Sequence, residues 1–201
     1  MEKGRLEAFS DGVFAIAITL LVLELAVPAA HETEDLARFL RGEWPSYFAY
    51  VVSFAIIGIM WVNHHGLMHN VARVDRPLLF FNLLLLFFVA VLPFPTALLA
   101  EHLRSEGSNV AAAVYSGNML GCAIGFQALW RWIVHDQRLL HAHIDHRAAR
   151  AAQGRFAIGL FVYAGTVGLA FVNAIATLAV HGAIAIYYVF DQLAVQPSSE
   201  T

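Results

Sequence analysis

An all-α integral membrane fold with six transmembrane helices is what this sequence predicts, on three observations. Of its 201 residues 59% are hydrophobic and 13% charged, about half the ~25% charged share of soluble domains. The apolar residues are gathered into runs, several of them near the ~20 residues a helix needs to cross hydrocarbon. Six crossings also sort Lys and Arg strongly to one side of the bilayer.

The spans follow in order. Residues 9–27 form the first, an apolar run interrupted by Thr19 and Glu24 and stopped by Pro28. Its basic start fits a signal peptide, but the Asp at its mouth, the Glu inside it and the later apolar runs predict a retained span. Residues 47–62 form the second, closed by Asn63, His64 and His65. The third covers 78–100, with Pro93 and Pro95 late in it, and the fourth covers 110–134, ending on Trp130 and Trp132 as interfacial anchors do. The last run is too long for one span, and dividing it near Asn173 gives 156–172 and 174–190. One six-helix unit over residues 1–201 results, with no internal repeat and no separate soluble domain. The linker 132–155 is polar and free of proline, which predicts a helix continuing beyond the bilayer.

With six spans, Lys3, Arg5, Arg73, Arg76, Arg131, Arg138, Arg147, Arg150 and Arg155 share one side, against Arg38, Arg41 and Arg104 on the other. The positive-inside rule then puts both termini in the cytoplasm. Twelve Lys and Arg without a basic stripe give no reason to expect a nucleic-acid partner. The single cysteine, Cys122, lies in an apolar run and reads as a small buried side chain.

The cytoplasmic mouth of span one carries most of the information. Arg5 and Phe9 are four apart and share a helix face, with Ser10 and Asp11 beside them. An ionised Asp at a bilayer boundary requires a partner; Arg5, His64 and His65 are the candidates. Asn82 of span three lies at a depth that reaches this knot. Further along, Ile16, Leu20 and Leu23 fall on one stripe with Thr19 at its edge. A stripe of this kind is ordinarily lipid-facing or core. Glu24, near the far mouth, reads either as an attractor of cations or as an interfacial residue paired with Arg38 or Arg41.

Arg5-x-x-x-Phe9-Ser10-Asp11 followed by GVFAIAITLLVLEL resembles the signature of the endosomal and lysosomal transmembrane potassium channel family, in its prokaryotic form. The resemblance implies one six-helix unit per chain, assembly as a homotetramer, and a central pore lined by the first helix. It implies no Thr-Val-Gly carbonyl filter, and this sequence has no such loop. The constriction would be a ring of aliphatic side chains, matched here by Ile16, Leu20 and Leu23, with Thr19 as a hydroxyl layer. Ile16 stands where the family often has Leu. Arg5, Phe9, Ser10 and Asp11 would knit the cytoplasmic helix ends, and Trp61 with His64 or His65 matches the family's tryptophan and histidine near the end of span two. The partners implied are the lipid bilayer, monovalent cations and sister copies. Permeant K+ is the ion, and no cofactor or metal is expected.

Other readings are weaker. His65 and His69 have the i, i+4 spacing of a metal pair, yet no Cys or carboxylate completes the set locally, so a polar helix end is expected. His141, His143 and His146 sit among arginines as a solvated face that can titrate near neutral pH. His181 lacks a second histidine deep in a span, which argues against haem. Gly117, Gly121 and Gly125 recur every fourth residue of span four, a spacing for close helix packing, and Asn118 is expected to bond across helices. A secondary transporter would show an inverted repeat or a broken helix flanked by charges, for which only Pro93 and Pro95 speak. A membrane enzyme would have to use the His64, His65 and Asp11 cluster, without a nucleophile or a metal set. The expected function is a potassium-preferring channel in a prokaryotic plasma membrane, and not an enzyme.

Overall fold

A computed structural model describes residues 2–28, 35–135, 139–142 and 159–194, with side chains of the last helix described as far as Tyr188. The elements are α1 (Lys3–Leu20) running into a 3-10 turn (Leu21–Glu24), α2 (Leu36–Gly42), α3 (Trp44–His69), α4 (Arg76–Val91), α5 (Pro93–His102), α6 (Ser108–His135), α7 (Gly159–Ala170) and α8 (Ala174–Ala194). Among the described residues there is no strand beyond one isolated antiparallel bridge, Val71 to Leu140.

Three helical stretches, Lys3–Glu24, Trp44–His69 and Arg76–His102, are long and apolar enough to cross a bilayer; Gly159–Ala170 and Ala174–Tyr188 are shorter apolar helices. At 28 residues α6 is long enough, but Ser116, Asn118 and Gln127 dilute it. It is also the helix whose buried residues run along its whole length, from Ala111 to Val134. A helix enclosed by protein has no need of an apolar coat on every side.

The ends are set by local chemistry. Asp75 caps α4 by accepting the Leu78 backbone N–H at 2.9 Å, with a proline in the first turn, where the missing N–H does no harm. The Asp75 carboxylate also accepts from Trp132 Nε1 at 3.1 Å, tying α4 to the end of α6. Asn173 takes the Ala176 N–H at 2.9 Å and starts α8 after a turn at residues 171–173.

The third predicted span is two helices. Pro93 has no N–H for the Val89 carbonyl, so the Leu92 N–H bonds Val89 O at 3.2 Å instead. That shift leaves Phe88 O without its helix partner, and Asn118 Nδ2 donates to it from α6 at 3.0 Å. In hydrocarbon such a freed carbonyl requires a partner. The helix resumes at once, and Thr96 adds a hydroxyl bond to Leu92 O at 2.9 Å.

Helices α4 and α6 approach most closely at Gly121 and Gly125. A β-carbon on Gly125 would lie 2.8 Å from Leu85 Cα, and one on Gly121 would run into the Phe88 ring. Gly117 meets nothing within 4 Å, so the expected glycine stripe packs through two of its three members.

Of the linker expected to continue as a helix, residues 132–135 belong to α6, and most of the rest lies outside the described residues. Residues 139–142 fold back along the α3–α4 loop: Ala72 N donates to Leu139 O at 2.7 Å and His141 N to Asn70 O at 3.2 Å. Leu139 and Leu140 are both buried. The predicted features at Arg138, His143, His146, Arg147, Arg150 and Arg155 lie outside the described residues.

Candidate functional site

Helix α1 has two faces of opposite fate. Leu6, Ser10, Phe14, Ala17 and, in the 3-10 turn, Leu21 are buried against the bundle at spacings of three or four residues. On the other side Phe9, Ile16, Leu20 and Leu23 are exposed, Ile16 at 61% and Leu23 at 73%. Thr19 is exposed within this stripe. Its hydroxyl proton goes back to its own helix, shared between Ala15 O and Ile16 O at 2.9 Å each. With its proton so engaged, the oxygen presents lone pairs outward, as a ligand for a cation rather than a donor.

The buried face is anchored by a chain of hydrogen bonds joining three helices. Ser10 Oγ donates to Leu6 O at 2.9 Å. Having given up its proton, Ser10 accepts from Asn82 Nδ2 of α4 at 3.0 Å. That orientation turns Asn82 Oδ1 toward α3, where His64 Nε2 lies 2.7 Å away. The carbonyl oxygen can only accept, so His64 donates from Nε2. Every proton therefore runs one way, from His64 through Asn82 and Ser10 to the backbone of α1. Ser10, His64 and Asn82 are all buried, and the Phe14 ring stands 5.5 Å from the His64 ring.

Asp11 is on the other side. Its carboxylate accepts from Trp61 Nε1 at 2.9 Å at an exposed position, and the Trp61 ring lies 6.0 Å from that of His65. None of Arg5, His64 and His65, the partners the sequence proposes for Asp11, makes this bond. Arg5 is exposed and makes no ion pair among the described residues. The expected single knot is two devices: a buried relay through Ser10, Asn82 and His64, and an outward pair of Asp11 and Trp61. The reason is angular. Ser10 and Asp11 are adjacent, about 100° apart around the helix, and cannot share a partner.

Glu24 is exposed in the 3-10 turn, and among the described residues Arg38 pairs with Asp35 at 3.7 Å rather than with Glu24. His69 ends α3, and no group of three or more His, Cys, Asp or Glu gathers among the described residues.

A second polar layer escaped sequence reasoning. Thr96 gives its proton to Leu92 O, so Ser53 donates to Thr96 at 2.9 Å and Tyr115 donates to Ser53 at 3.0 Å. Beside it Ser116 Oγ lies 3.0 Å from His181 Nε2. These are lone polar residues on helices far apart in sequence, and no spacing links them.

A family model described as endosomal/lysosomal potassium channel TMEM175 matches residues 5–93. A potassium channel of Streptomyces collinus is 57% identical over 195 residues, covering 96% of this chain and 95% of the relative. The crystal structure of a lysosomal potassium-selective channel TMEM175 homolog from Chamaesiphon minutus superposes with a TM-score of 0.85 at 43% identity, covering 94% of this chain and 97% of that one. The endosomal/lysosomal proton channel TMEM175 of Gallus gallus is 34% identical over 151 residues, which is 70% of this chain and 30% of the relative.

Proposed function

Because the chain belongs to the endosomal/lysosomal potassium channel TMEM175 family, we propose that it conducts potassium passively through a pore lined by the exposed stripe of α1 in a homotetramer. It is a membrane channel and not an enzyme, as its relatives are.

The observation that carries the pore reading is the unpartnered face of α1. Phe9, Ile16, Leu20 and Leu23 remain exposed while the opposite face is buried. Four large apolar side chains of one stripe are left without a protein partner within the chain. Thr19 turns its oxygen outward among aliphatic neighbours. Copies of α1 around an axis would bury the aliphatics against one another, leave a narrow apolar neck at Ile16, and set a ring of Thr19 oxygens one turn away.

An apolar neck blocks ions by excluding water, and opening must widen it. Its walls cannot replace a hydration shell. Preference for K+ then follows from its lower cost of dehydration, helped by Thr19 and nearby carbonyl dipoles, and is modest rather than sharp. The buried relay His64–Asn82–Ser10 holds α1 against α3 and α4, so a change in the pore radius is a change in how this anchored helix tilts. The bias of Lys and Arg supports both termini in the cytoplasm and residence in a prokaryotic plasma membrane.

Potassium and rubidium flux into liposomes holding the purified protein tests this, with Na+ as control. Passive uptake favouring K+, raised about tenfold or more by Ile16→Asn, equivalent to lowering the barrier by ~1.4 kcal/mol, is the expected result. No flux from a folded tetramer in either form overturns the proposal. Proton uptake by a trapped pH dye, in the same vesicles, tests the second reading that the name of the Gallus gallus relative suggests.

A further inference from the structure

Between α3 and α8 lies an apolar slot of about 220 Å³. Phe48, Val51, Val52 and Ala55 form one wall, and Gly182, Ala185 and Ile186 the other. Gly182 leaves the slot open. A β-carbon there would sit 3.4 Å from Val52 Cγ2 and 3.9 Å from Phe48 Cζ, which is ordinary contact. The helices do not press together at this glycine as they do at Gly125; the missing side chain leaves space. Phe48, Val51 and Ile186 are exposed at the rim.

A cation stands one helical turn before the slot on α3. Trp44 lies one turn before Phe48 on the same face of α3, and the Arg104 guanidinium stands 5.2 Å over the centre of its ring. That cation makes no ion pair among the described residues. Glu43, the neighbouring carboxylate, is engaged by Ser46 Oγ at 3.0 Å. A Trp and an Arg at the end of a spanning helix mark the level of the headgroups.

We propose that this slot binds one phospholipid, with an acyl chain lying along Gly182 between Phe48 and Ile186 and the phosphate on Arg104 beside Trp44. The apolar wall accepts any hydrocarbon chain; the guanidinium, steadied by cation–π contact, selects a lipid that carries a phosphate. The slot is separate from the exposed face of α1, and the inference stands whether or not that face lines a pore.

Native mass spectrometry of the purified full chain in mild detergent tests this, titrated with phosphatidylglycerol and, separately, with diacylglycerol of the same chains. Saturable retention of one phosphatidylglycerol per chain is expected. Gly182→Leu and Ala185→Leu, each of which fills the slot, should abolish it. Arg104→Gln should weaken phosphatidylglycerol about fivefold and leave diacylglycerol unchanged. In the unmutated chain, brominated phosphatidylglycerol should quench a fluorescence component that Trp44→Phe removes. Unchanged retention in both slot-filling variants overturns the proposal, as does equal weakening of both lipids by Arg104→Gln or an unquenched Trp44. If the slot-filling variants keep their lipid and instead dissociate the oligomer, the slot holds a neighbouring copy and the proposal is likewise overturned.

Discussion

Asn82 is the side chain at which three helices meet, and its amide is used at both ends. Replacing it with Leu strands a His64 N–H and leaves Ser10 without its donor, both away from water. We expect Asn82→Leu to lower stability by ~1–3 kcal/mol, read from thermal unfolding in detergent. Trp61→Phe removes a bond of similar length, but at an exposed position, and should cost the isolated chain about 1 kcal/mol or less. Equal losses in the two variants would mean that the buried relay does not anchor α1. Ser10, Asn82, His64 and Asp11 were legible in the sequence as polar residues in or beside apolar runs, and Trp61 only through the family resemblance. Which bonds which was not, because adjacent residues on a helix point about 100° apart and the partners come from other spans.

Proline and glycine decide how the elements bend and meet. Pro93 divides the third span, and Asn118 accepts the consequence by bonding the carbonyl left over at Phe88. Asn118→Leu should therefore destabilise by ~1–2 kcal/mol, the worth of such a bond between membrane helices. Gly125→Val drives a side chain into the Leu85 backbone and should cost ~3 kcal/mol or more, whereas Gly117→Ala, facing open space, should stay within ~0.5 kcal/mol. Circular dichroism melts of the three variants check the order; a harmless Gly125→Val would deny the close α4–α6 approach. The four-residue glycine spacing announces close packing, but only the azimuth of each neighbour says which glycines take part.

Assembly is the property of the whole molecule that the single chain leaves open on its surface. If exposed α1 faces gather round an axis, Leu23→Cys places thiols from neighbouring copies within disulfide reach. Mild oxidation should then give a cross-linked dimer band on a non-reducing gel. Cys122 is fully buried in α6 and will not contribute a background band. Absence of cross-linking at Leu23, with cross-linking at a cysteine placed on the exposed residue Phe161, would put the subunit contact elsewhere. Phe161 is exposed on α7 and so serves as the control.

Composition and the length of the apolar runs already settle that this chain is helical and lives in a membrane, because hydrocarbon admits a helix only when its backbone bonds close within the segment. The Arg5–Asp11 motif at the head of span one carries the resemblance to the family, and the cost of its polar groups there says only that they need partners. What needed the tertiary structure was direction around each helix axis. It separates Ser10 from Asp11, assigns Asp11 to Trp61, turns Thr19's oxygen outward, and leaves Ile16, Leu20 and Leu23 uncovered. A period of 3.6 residues says which side chains share a face; only the positions of the neighbouring helices say what that face meets.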